Sequence, residues 1–150
     1  MLTNCEVWNT LSKNEISQLE EVDKLLIRKV LNVATSCPIE ALYLELGCVP
    51  LSYIIQSRRV NYLHHLVTRS ENEMLSKFFY TQWNYPAKKT KWTVTVREDL
   101  KELDIEDNLE TIKKMSKYTF KNLVKKKVLD KTLTDFLDKK RKHKKMTKLI

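Results

Sequence analysis

The sequence predicts an all-α fold, an irregular multi-helix bundle around a central helix at about Leu51 to Arg69, followed by an extended basic C-terminal helix or tail. Three observations predict it. A single glycine and three prolines in 150 residues leave few of the punctuation points that a many-stranded protein needs. Within Leu51 to Arg69, Leu51, Ile55, Tyr62 and Leu66 fall on one side of a helical wheel, with Tyr53, Val60, Leu63 and Val67 on another. The strip Ser57, Asn61, His64 and Thr68 is polar, and its spacing of four, three and four is that of one helical face. A helix apolar over so much of its circumference belongs at the centre, covered by neighbours.

Before it, Ser12 and Glu15 form a capping box, and Leu19, Val22, Leu26, Val30 and Val33 recur at helical spacing, which predicts a first helix over Lys13 to Val33. The opening MLTNCEVWN is uninformative: Val7, Trp8 and Leu11 either fold back as a hydrophobic lid or fray. After a connector at Ala34 to Cys37, Pro38 sits at the first position of a two-turn helix, and Gly47 ends that helix as a left-handed cap. Pro50 opens the central helix in the same manner.

Ser70 and Glu73 read as a second capping box, starting a helix with Met74, Leu75, Phe78, Phe79 and Trp83 on one face and Pro86 beyond its end. Asn84 to Thr90 is an exposed basic linker. Trp92 to Val96 alternates β-branched and aromatic residues, yet a lone strand has no partner, and Leu100 and Leu103 continue Trp92 and Val96 at helical spacing. A helix is the expected outcome. Asp104 to Asn108 reads as a turn before a short helix holding Leu109, Ile112 and Met115. In the last segment Phe120, Leu123, Val124 and Val128 share one face, whereas Leu129, Leu133, Phe136 and Leu137 lie on nearly the opposite one; a break at Asp130 to Thr132, with Thr132 as cap, resolves the conflict. The run KKRKHKKMTK after Asp138 has almost nothing to bury and is expected to extend from the domain, helical only when bound or supported.

The chain is long enough to bury its own core without disulfides or metal. Cys5, Cys37 and Cys48 are odd in number and lack CxxC or CxxH spacing, so reduced, mostly buried thiols are expected, and no metal or other cofactor. No segment approaches the roughly 20 apolar residues of a membrane span, so no membrane partner and an intracellular location are expected. The net charge of +9 is unevenly placed: Lys113 to Ile150 holds fifteen Lys and Arg against three acids, a net +12 that leaves −3 for residues 1–112. The organisation expected is a helical core domain at 1–112 and a basic arm and tail at 113–150. Such asymmetry marks an arm that meets a polyanion, here RNA or DNA.

Candidate contacts to that polyanion are Arg58 and Arg59; Lys88, Lys89 and Lys91; Lys125, Lys126 and Lys127; and Lys139, Lys140, Arg141, Lys142, Lys144 and Lys145, with the aromatics Trp92, Tyr118 and Phe120 nearby. KKRKHKK is also compatible with a nuclear-localisation sequence. Arg59 falls inside the apolar arc of the central helix, where an ion pair with Glu40, Glu45 or Asp99 is favoured over a phosphate contact. His64 and His65 are adjacent, face different directions and cannot chelate one metal as an HxxxH pair would. With no HExxH, no phosphate-binding glycine loop and no pair of catalytic carboxylates, no catalytic residues are expected.

The runs CPIEALYLELGCVPLSYIIQSRRVNYLHHLVTRSENEMLSKFFYTQWNYP, KWTVTVREDLKELDI, LETIKKMSKYTFKNLVKKKV and KKRKHKKMTKLI resemble, in that order, the region following the polymerase domain in reverse transcriptases of non-LTR (LINE-type) retrotransposons. The resemblance spans about three-quarters of the chain and rests on linear order, since no single motif in it is diagnostic. The family's polymerase carries its metal-binding aspartates in an aromatic-x-Asp-Asp turn, and this sequence has no Asp-Asp; the downstream cysteine-and-histidine cluster is absent too. The resemblance therefore implies a non-catalytic accessory segment that held template RNA or target DNA beside a polymerase domain of a parent RNA-directed DNA polymerase. Two other readings remain: a helical protein-interaction module presenting the Met74 to Trp83 face, and a decayed retroelement fragment without a selected function.

Overall fold

A computed structural model describes residues 4–5, 11–85 and 91–147, the side chains of 143–147 excepted. Among these residues the chain is all-helical: α1 (Lys13–Leu31), α2 (Ile39–Leu46), α3 (Leu51–Val67), α4 (Met74–Asn84), α5 (Lys91–Glu102), α6 (Leu109–Lys114) and α7 (Lys117–Thr147). As the sequence predicts, α3 is central: α1, α4, α5, α6 and α7 all pack on it. Its Val60, Leu63, Leu66 and Val67 meet Phe79 and Trp83 of α4, Val96 and Leu100 of α5, Ile112 of α6, and Phe120, Val124 and Val128 of α7 in one continuous core. The first half of α7 is thus part of the core, while its second half carries the basic run.

Local chemistry explains where the helices begin and end. The Ser12 box forms in both directions, with Glu15 N–H donating to Ser12 Oγ and Ser12 N–H donating to the Glu15 carboxylate. That bond and the Ser12 hydroxyl hold the exposed Glu15 carboxyl below its ordinary value. Asn32, at φ +51°, closes α1 after Leu31, two residues earlier than expected. Pro38 and Pro50 sit at the N-cap rather than the first helical position, because their ψ of 126° and 150° are extended. Gly47 is the expected left-handed cap at φ +61°. An added Cβ there would meet nothing within 4 Å, so only the backbone conformation opposes a side chain. Gly47→Ala is accordingly expected to cost about 1 kcal/mol in urea unfolding.

Four further expectations are corrected. The Ser70 capping box does not form: α4 starts at Met74 with Glu73 as N-cap, and the Glu73 carboxylate pairs instead with Arg69 at 3.0 Å. The α7 helix does not break at 130–132; Thr132 donates its hydroxyl back to Val128 C=O within an unbroken helix, and Leu129, Leu133 and Leu137 are left exposed. The helix also runs through the basic stretch to Thr147 instead of fraying after Asp138, since adding a turn to an existing helix needs no new nucleus. The thiols are less buried than expected: Cys5 is buried, Cys37 half-buried and Cys48 exposed, all free. Val7 and Trp8 lie outside the described residues.

Candidate nucleic-acid interface

Most of the candidate residues lie on α7, whose outward faces follow from what its inward face is doing. Phe120, Val124, Val128 and Thr132 are buried at four-residue spacing against the core. That leaves the neighbouring rows Lys117, Lys121, Lys125 and Tyr118, Asn122, Lys126 in solvent. Among the described residues none of these four lysines has a carboxylate partner, so their charge is not neutralised within the fold. Farther along, Lys140, Arg141 and Lys142 are exposed, Arg141 lying 3.6 Å from Asp138. At about 1.5 Å per residue the 31-residue helix spans roughly 46 Å.

Other candidates are committed elsewhere. Arg59 is 7% exposed, and its Nε and Nη2 donate to the two Asp99 oxygens at 2.7 and 3.2 Å, one of the internal pairings the sequence allows. Gln56 Nε2 donates to the same carboxylate at 3.3 Å and to Glu102 at 3.0 Å. Burial pushes the Asp99 carboxyl up from its ordinary 3.8, while Arg59 and Gln56 pull it back. Lys127 is held 2.7 Å from Asp104, and Lys139 3.3 Å from Glu40. Arg58 is exposed and reaches Cys5 Sγ at 3.7 Å. Lys91 is exposed at the start of α5; Lys88 and Lys89 lie outside the described residues, as do the side chains of Lys144 and Lys145.

The aromatics divide the same way. Phe120 is in the core, stacked on His64 with centroids 4.9 Å apart, and Trp92 is half-buried, edge-on to Tyr62 at 6.0 Å. Only Tyr118, 76% exposed, is open beside the lysines. His64, placed by its spacing on a polar strip, is instead buried, with Nε2 donating to Met115 C=O at 2.9 Å. His65 is exposed.

Two features escaped the sequence reading. Lys117 and Lys121 precede Lys125 by eight and four residues, and that helical spacing was the available signal. Arg97 had no such signal: it donates to Trp83 C=O and Asp107, and its guanidinium carbon lies 4.0 Å from the Trp83 ring centroid, tying α5 to the end of α4. Among the described residues no group of three His, Cys, Asp or Glu could hold a metal ion, and no helix is long and apolar enough to cross a membrane. Comparison with protein-family models, with curated proteins and with solved structures yields no match.

Proposed function

We propose that this chain is a non-catalytic nucleic-acid-contact segment derived from a retrotransposon reverse transcriptase, which binds RNA or DNA by neutralising backbone phosphates along α7. The observation that carries the reading is the exposed row Lys117, Lys121, Lys125, joined by Lys126, none of them with a carboxylate partner among the described residues. Tyr118, exposed within that face, offers a ring on which an unpaired base stacks. The order of the resembling segments is the support for a reverse-transcriptase origin, and the net +12 from Lys113 onward supports contact with RNA or DNA. A protein-interaction module built on the α4 aromatic face has less support, because Phe79 and Trp83 are spent in the core and only Phe78, Met74 and Leu75 of that face stay exposed.

Titration of labelled single-stranded RNA and duplex DNA across a salt series tests the proposal. Log affinity is expected to fall linearly with log salt for both ligands. Failure to bind at low salt, or affinity indifferent to salt, removes phosphate neutralisation as the mechanism.

A further inference from the structure

Open lysines alone do not say whether α7 meets a paired or an unpaired strand, because both carry phosphates. The side chains standing between those lysines do. Along the helix from Tyr118, Lys121 and Asn122 follow one turn on, Lys125 two turns on and Leu129 three, so all five share one stripe. That stripe lies across α7 from Phe120, whose ring is in the core. Every member of it is exposed, Tyr118 at 76% and Leu129 at 41%.

Each member suits a different part of an unpaired nucleotide. Lys121 and Lys125 neutralise phosphates. The Tyr118 ring offers its face to the face of a base, and Leu129 continues the apolar surface beyond Lys125. Asn122 carries both a donor and an acceptor, which the edge of a base can use and a phosphate, an acceptor only, cannot. In a duplex the base faces are stacked on one another, so a helix lying along its backbone meets phosphate and sugar. Tyr118 and Leu129 would then cover charged oxygens with apolar surface, which costs the oxygens their water.

We infer that this stripe takes a single strand in preference to a duplex, with Tyr118 as the stacking platform and Asn122 as the group that meets the base edge. The inference rests on the phosphate reading of α7 and adds the state of the strand. Lysines beside a leucine would also suit an anionic lipid surface. Asn122 and Asp130 argue against that occupant, since both are exposed on either side of the Lys125–Leu129 segment and an added carboxylate repels anionic headgroups.

The test uses the full chain and a labelled oligonucleotide of mixed sequence, as RNA and as DNA, each alone and annealed to its complement. Both single strands are expected to bind more tightly than their duplexes, by about fivefold or more at one salt concentration. Tyr118→Ala should weaken single-strand binding by about 10-fold and duplex binding several-fold less, with an unchanged circular-dichroism signal because the ring is exposed. Tyr118→Phe, which keeps the ring, should retain the single-strand affinity. Salt-dependent binding with no preference for the single strand, or an equal loss from strand and duplex in Tyr118→Ala, would overturn this inference and leave the phosphate reading standing. Displacement of the bound strand by phosphatidylserine vesicles would overturn it in favour of a lipid surface. Absence of salt-dependent binding to any of the four ligands would overturn both.

Discussion

Arg59→Ala is expected to destabilise the fold by about 3–5 kcal/mol in chemical denaturation, close to the largest loss available to one side chain here. Arg59 and Asp99 join α3 to α5 at 2.7 Å, both nearly out of water. Removing the guanidinium strands a carboxylate that keeps only Gln56 as a donor among its described partners. The effect has a sign with pH. Burial raises the folded-state value of Asp99 above its ordinary 3.8, so ionised Asp99 opposes folding as pH rises through that raised value. With Arg59 gone the opposition grows, and the deficit of Arg59→Ala should shrink in acid, where Asp99 is protonated. The double substitution Arg59→Met, Asp99→Leu should recover most of the loss, because it leaves no buried charge behind.

Phe120→Ala is expected to cost a similar amount, about 3–5 kcal/mol, by a different route. Phe120 is 1% exposed and stacks on His64, with Val124 and Val128 continuing the seam along α3. Truncation opens a cavity where α7 docks and leaves the His64 ring without its cover. Phe120→Leu, which keeps most of the volume, should lose clearly less, and the comparison by thermal unfolding separates packing from secondary-structure propensity.

How much of this was legible in the sequence depended on which force set each feature. Helix identity and the centrality of α3 were legible, because a period of 3.6 with apolar residues around most of the circumference has one solution. Gly47 and the Ser12 box were legible because capping is local chemistry. The Ser70 box was not, since its acid had a competing partner in Arg69 one turn away. The α7 break was inferred on the premise that every apolar face must be buried, and Leu129, Leu133 and Leu137 show that premise failing. Helix α1 is a second instance, with Leu19, Val22, Leu26 and Val30 exposed. In the candidate interface the sequence marked lysine runs, but contiguous residues point in different directions: Lys127 turns to Asp104, while the open row is the spaced set Lys117, Lys121, Lys125. Proximity in the chain likewise suggested Phe120 as a stacking ring, although its helical phase belonged to the core.

The central claim is that the open lysines of α7 are the phosphate contacts, and the salt slope of binding measures them directly. In the variant with Lys117, Lys121, Lys125 and Lys126 all replaced by glutamine, circular dichroism should be unchanged because the four side chains are exposed. The slope of log affinity against log salt for duplex DNA should flatten by about 3 to 4 relative to the unsubstituted chain, roughly 0.9 per lost contact. A variant that binds with the original slope and affinity would contradict the account.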